Sequence, residues 1–162
     1  MSEETWLRID VSAQRLDVCQ GERVLRSYPV STARNGVGEL SGSECTPRGS
    51  HYVRARIGGG LPRAAVLKGR RPTGEVWSEE LAAQYPARDW ILSRILWLCG
   101  REPGRNRLGN VDSQRRYIYI HGTPDSEPMG VPLSHGCVRM RNDDVIDLFE
   151  RVPAGTRVEI LG

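Results

Sequence analysis

From Thr5 to Val11 the side chains alternate, with Trp6, Arg8 and Asp10 on one side and Leu7, Ile9 and Val11 on the other. That is the period of a strand with one buried face. Arg15 to Cys19 and Arg23 to Tyr28, parted by Gln20-Gly21-Glu22, predict a hairpin whose turn is supplied by glycine. The first third of the chain therefore reads as a β-meander. Ser31 to Gly49 is rich in Gly, Ser, Thr and Asn and predicts a long loop, and loops of that length inside a compact domain are usually functional. Strand character resumes from His51 to Ile57, and Ala64 to Leu67 predicts a short strand after the Gly58-Gly59-Gly60 break.

Helical signals follow. Ser78 is a candidate N-cap with Glu79 and Glu80 in the first turn, where the helix dipole favours negative charge, and Pro86 interrupts that helix. Asp89 can cap a second helix whose Ile91, Leu92, Ile95, Leu96 and Leu98 cover most of its circumference, with Gly100 as its stop. Gly100 to Asn110 reads as loop. Arg116 to Ile120 alternates tyrosine with isoleucine as a strand would, and places His121 at the strand end. Gly122 to Gly136 holds three prolines and three glycines, too many breakers for regular structure. Asn142 is the predicted cap of a helix running to about Arg151, and Arg157 to Leu161 is a closing strand. The fold class is mostly β with a few helices (α+β), with neither internal repeat nor low-complexity tract.

Length and composition narrow this further. A chain of 162 residues fits a single domain, 1–162, and at 38% hydrophobic and 27% charged residues it has the composition of an ordinary globule. The net charge of +3 comes almost wholly from arginine, Lys68 being the only lysine, and the arginines are scattered from Arg8 to Arg157. No nucleic-acid patch is indicated. Met1 is followed by neither a basic n-region nor an apolar h-region, and no apolar stretch is long enough to span a membrane. As written the chain is expected in the cytoplasm, or in the periplasm if it is part of a longer exported protein. Cys19, Cys45, Cys99 and Cys137 show no CxxC spacing, which predicts free thiols.

One of those thiols has company. Cys137 lies in Ser134-His135-Gly136-Cys137-Val138-Arg139, with His121 sixteen residues upstream. A free thiol, with a pKa of roughly 8.5, is only slightly ionised at neutral pH, so a nucleophilic cysteine needs a base beside it. His121, on a strand end facing the breaker-rich loop, is the better placed histidine. Gly136 would let backbone N–H groups near Gly136 and Cys137 approach a carbonyl oxyanion closely. Ser134 could brace the turn through its hydroxyl, and Arg139 offers a forked donor for a substrate carboxylate. Two other readings compete: a zinc-binding domain using His121, His135 and Cys137, which lacks a fourth ligand at convincing spacing, and a non-catalytic binding module.

His121-Gly122 followed by Ser134-His135-Gly136-Cys137-Val138-Arg139 resembles the signature of the L,D-transpeptidase catalytic domain, the YkuD domain. Thr46-Pro47-Arg48-Gly49-Ser50-His51 is similar to the Thr-Pro-x-Gly-x-aromatic step that enters a core strand in these domains, which makes His51 structural. The resemblance implies a mixed β-sandwich. It also implies a cysteine that attacks peptidoglycan stem tetrapeptides before the terminal D-alanine and forms an acyl-enzyme. By position Cys137 would be the nucleophile, His121 its base, the Gly122 carbonyl the group orienting His121, and His135 a neighbour shaping the substrate and oxyanion site. No cofactor or metal is implied. Stem peptides or muropeptides would be the partners, and carbapenem-type β-lactams acylating inhibitors.

If an amine takes the acyl group the enzyme is a transpeptidase; if water does, it is an L,D-carboxypeptidase, the alternative that suits a cytoplasmic protein meeting recycled muropeptides. The segment 67–110 is longer than a minimal domain needs and reads as a helical or loop elaboration that could wall the site.

Overall fold

The structure is a computed structural model describing residues 4–162. Strands β1 (Thr5–Asp10), β2 (Arg15–Gln20) and β3 (Arg23–Pro29) form the antiparallel meander that the alternation predicts. Leu7 and Ile9 are fully buried, while Trp6, Arg8 and Asp10 are only partly so. β10 (Arg157–Leu161) lies parallel to β1 and antiparallel to β4 (Gly49–Ile57). Ten of the eleven residues of the β4 and β5 predictions fall inside strands, with β5 spanning Ala65–Lys68.

The second predicted helix is a strand. β7 (Ile91–Gly100) pairs with β8 (Tyr119–Thr123) on one edge, and on the other with β5 near Ile91 and with β4 from Ile95 onward. Leu92, Ile95, Leu96 and Leu98 are all fully buried. A strand covered on both faces loses its two-residue period, so an unbroken apolar run cannot be told from a helix by pattern. Pairing partners on both edges decide the matter. Ser93, at φ 69, absorbs the irregularity where β7 hands over from β5 to β4.

β6 (Arg71–Val76) carries no apolar alternation and is a strand that sequence did not predict. It exists because Gly69 and Arg70, both at positive φ (56 and 63), make the two-residue turn that folds it back on β5. Helix α1 (Glu79–Gln84) does start at Ser78, whose hydroxyl accepts the Leu81 N–H.

β9 (Val138–Arg141) runs parallel to β8, and α2 (Asn142–Arg151) follows it directly. The α2 cap is Arg141, not Asn142. The Asn142 side chain is instead buried, accepting from Ser93 Oγ and donating to the Thr123 carbonyl.

The ten strands make one mixed sheet that curls. Ser31, just beyond β3, exchanges both backbone hydrogen bonds with Arg139 of β9 at 2.9 Å, bringing the first third of the chain onto the last. The main core lies inside the curl, where Leu7, Leu16, Ile120 and Met140 meet Val145 and Leu148 of α2.

Candidate active site

A cavity of about 290 Å³ opens where β7, β8 and the turn before β9 converge, lined by Cys137, His121, His135 and Arg139. Ser134, Gly69, Arg70, Asp89, Ile91, Tyr117 and Tyr119 complete its walls, so residues within 67–110 border the cavity. A larger hollow of about 660 Å³ lies beside Trp6, Arg48 and Glu102. It holds no cysteine or histidine, and its charges are engaged with each other and nearby groups, Arg48 with Glu39 and Arg105 with Glu102. The smaller cavity is the one that gathers a cysteine and two histidines.

The Cys137 sulfur is held by backbone groups of the chain entering β8. The thiol donates to the Tyr117 carbonyl at 3.3 Å and accepts the Tyr119 N–H at 3.3 Å. Tyr117 adopts φ 57, a conformation unfavourable for a tyrosine, at this point of contact. Burial pushes the Cys137 thiol up to about 12, against the Tyr119 N–H, which lowers it; Asp89 raises it further, while Arg139 and Arg116 lower it. The resting side chain is a neutral thiol.

His121 is buried, with Nδ1 2.7 Å from the Gly122 carbonyl. A carbonyl only accepts, so Nδ1 carries the proton and Nε2 of the neutral ring keeps its lone pair. Burial pushes His121 below its ordinary pKa, with the Gly122 carbonyl and Asp89 opposing and Arg139 reinforcing the shift. The ring rests as a neutral base. Gly122 cannot be replaced here, since a Cβ would sit 2.5 Å from the Leu92 carbonyl oxygen and 2.9 Å from Asn142 Oδ1. His121 lies within β8 rather than at its end, which fixes its backbone on both sides.

The turn before β9 is tied from within and from without. Ser134 is buried; its hydroxyl donates to the Cys137 carbonyl at 2.6 Å and accepts the Gly136 N–H at 3.2 Å. That hydroxyl is engaged in the turn and is not offered to a substrate. The Gly136 N–H, expected as an oxyanion donor, is likewise occupied, whereas the Cys137 N–H has no hydrogen-bond partner among the described residues. Gly136 sits at φ 133, which an L side chain rarely adopts. Thr46 reaches in from the long loop, donating to the Gly136 carbonyl at 2.9 Å and accepting the Ala33 N–H. Arg116 holds the same loop by donating to the Cys45 carbonyl.

Asp89, which sequence offered only as a helix cap, is the carboxylate of the site. Its Oδ1 accepts from Arg139 Nη2 at 3.0 Å and its Oδ2 lies 3.6 Å from His135 Nδ1. Arg139 is therefore already paired with a carboxylate. Asp89, Arg70, Tyr117 and Tyr119 escaped sequence reasoning, although Tyr117, Tyr119 and His121 share one alternation along the chain, a signal that could have placed both tyrosines beside the histidine. His51 is buried far from this chemistry in its bonding, held by Ser113 Oγ and the Gly49 carbonyl, and burial pushes it down to about 4. Among the described residues no three His, Cys, Asp or Glu side chains converge as metal ligands. All four cysteines are free.

Comparison with known proteins agrees with this fold. The profile of the YkuD family, the L,D-transpeptidase catalytic domain, matches residues 4–160. A protein named L,D-transpeptidase YcfS from Escherichia coli K12 is 43% identical over 143 residues, covering 87% of this chain and 38% of that one. One named L,D-transpeptidase YkuD from Bacillus subtilis is 26% identical over 156 residues, covering 95% and 64%. Among solved structures, L,D-transpeptidase 3 of Mycobacterium tuberculosis with a faropenem-derived adduct superposes with a TM-score of 0.60 at 15% identity, covering 99% of this chain and 61% of that one. That last likeness is one of fold. The chain spans between 15% and 64% of the length of the curated relatives it matches.

Proposed function

The chain belongs to the L,D-transpeptidase catalytic domain family, and on that premise we propose that Cys137 cleaves the bond before the terminal D-alanine of peptidoglycan stem tetrapeptides and passes the acyl group to an amine. The observation that carries this is the state of His121. Its Nδ1–H is locked to the Gly122 carbonyl, so the neutral ring presents Nε2 as a base in the cavity that holds the sulfur.

Because the thiol rests protonated and its proton lies on the Tyr117 carbonyl, attack and deprotonation are coupled. The substrate carbonyl carbon accepts the sulfur electron pair as His121 Nε2 takes the thiol proton. The negative charge that develops on the carbonyl oxygen is stabilised by the Cys137 N–H, with His135 at the rim. Collapse expels D-alanine, whose nitrogen takes the proton back from His121, and leaves a thioester on Cys137. An acceptor amine then attacks the thioester, loses its proton to His121, and the sulfur departs and is reprotonated.

Water in place of the amine would give the tripeptide and make the protein an L,D-carboxypeptidase. A disaccharide-tetrapeptide incubated alone and with excess free D-amino acid separates the two. An exchanged fourth residue or a dimer is the expected product; tripeptide alone would assign water as the acceptor, and absence of D-alanine release from folded protein would sink the acyl-transfer reading. The solved complex of the L,D-transpeptidase LdtMt1 with imipenem, a carbapenem, supports carbapenem-type β-lactams as probes of Cys137.

A further inference from the structure

Resting on that reading of the site, we propose that Thr46 is a positioning residue for the oxyanion: its hydroxyl, bonded to the Gly136 carbonyl, aims the Cys137 N–H at the carbonyl oxygen of the acylating substrate. The Gly136 carbonyl and the Cys137 N–H belong to one peptide unit. A trans peptide is planar and sends its C=O and N–H in opposite directions, so whatever anchors the oxygen also aims the hydrogen. Thr46 Oγ1 anchors it at 2.9 Å, from ninety residues away along the chain.

The neighbouring bonds leave the Cys137 N–H as the donor to be aimed. Gly136 and Cys137 together carry two backbone N–H groups and two carbonyls. Ser134 Oγ accepts the Gly136 N–H at 3.2 Å and donates to the Cys137 carbonyl at 2.6 Å, while Thr46 holds the Gly136 carbonyl. The Cys137 N–H alone has no partner among the described residues, and Cys137 lines the cavity. A hydrogen bond to a peptide oxygen also polarises the unit, which makes the N–H at its other end a stronger donor.

Thr46 is itself fixed on every side. It is fully buried, and its Oγ1 accepts the Ala33 N–H at 3.0 Å, which commits the hydroxyl proton to Gly136. Its backbone N–H donates to the Gly36 carbonyl and its carbonyl accepts the Gly38 N–H, both at 2.9 Å. The β-branched side chain adds a stiff χ1. Arg116 clamps the same loop by donating to the carbonyls of Gly38, Glu39 and Cys45. The loop also packs against the nucleophile's turn, where a Cβ on Gly136 would lie 3.3 Å from the Cys45 carbonyl oxygen. If Thr46 did no more than join loop to turn, its loss would change every reaction of Cys137 alike.

Two reactions of the one sulfur make the test. Acylation by imipenem passes through an oxyanion, whereas alkylation by iodoacetamide displaces iodide at a saturated carbon and forms none. Thr46→Val keeps the side chain's shape without the hydroxyl, and Thr46→Ser keeps the hydroxyl. Thr46→Val is expected to slow acylation about tenfold or more while alkylation stays within about twofold. Thr46→Ser should hold both rates within about threefold of the unmodified protein. With a stem tetrapeptide the valine loss should fall on kcat and leave KM nearly unchanged, because the oxyanion forms only on the way to the transition state. Rates are read at a temperature where melting curves show each protein folded; should valine unfold the chain, Thr46→Ala is the second variant, with the same pattern expected. Equal slowing of both reactions, or acylation that loss of the hydroxyl leaves unchanged, would overturn the proposal while leaving the acyl-transfer reading in place. Unmodified protein that alkylates but neither acylates nor releases D-alanine would remove that reading, and this proposal with it.

Discussion

Asp89 Oδ1 accepts a hydrogen bond from Arg139 Nη2 at 3.0 Å, across fifty residues of chain and at the rim of the cavity that holds Cys137. The pair puts a negative charge where it raises both the thiol and His121. Asp89→Asn should therefore lower the pKa of Cys137, moving the pH dependence of iodoacetamide alkylation to lower pH. Because Asp89 is about half exposed, global stability should fall by no more than about 1 kcal/mol. An alkylation profile that does not move, or moves upward, would show that Asp89 does not act on the sulfur.

Removing the nucleophile and removing the base should be distinguishable. Cys137→Ala should abolish both D-alanine release and the single covalent mass added by a carbapenem. His121→Ala should leave a thiol that still acylates, slowed by about 10² to 10⁴. Intact-mass time courses read both, and an adduct on the Cys137→Ala protein would place the reactive group elsewhere.

The pH dependence follows from directions of shift. His121 must be neutral to accept the thiol proton, and burial holds it below its ordinary value of 6.5. The acidic limb of kcat/KM should therefore lie below pH 6.5. The thiol, protonated in the fold up to about 12 but only to roughly 8.5 when unfolded, contributes stability that is complete below the unfolded pKa and is lost as pH rises towards 12. Cys137→Ala lacks that contribution. The stability difference between the two proteins, followed by thermal melting, should change between pH 9 and 12 in the sense that the unmodified protein loses more.

Gly122→Ala should destabilise the fold by about 3 kcal/mol. The new methyl would meet the Leu92 carbonyl oxygen at 2.5 Å, and both backbones are held in the β7–β8 ladder, so neither can move aside cheaply. Chemical denaturation measures this directly; a cost under about 1 kcal/mol would mean that the two strands can part without loss.

Much of the fold was legible because its outer strands bury one face. β1, β2 and β10 show alternation or strand-forming runs bounded by turn residues, and α1 and α2 start close to where Ser78 and Asn142 mark them. β7 was misread because it is buried all round, and β6 was invisible because it is exposed nearly all round. In both cases only the pairing partners make the strand.

The same division runs through the site. Amino-acid sequence alone determined the residues adjacent along the chain, Ser134-His135-Gly136-Cys137-Val138-Arg139 with His121-Gly122, together with the family they resemble, because turn chemistry and the Nδ1 bond from His121 to the next carbonyl are local. Only the tertiary structure decided that Asp89 pairs with Arg139, that Arg70 is held over Trp97 and Tyr117, and that the thiol rests on the Tyr117 carbonyl. Those contacts join segments twenty to fifty residues apart. Their geometry is set by where the curled sheet places its strand ends, and no local spacing encodes it.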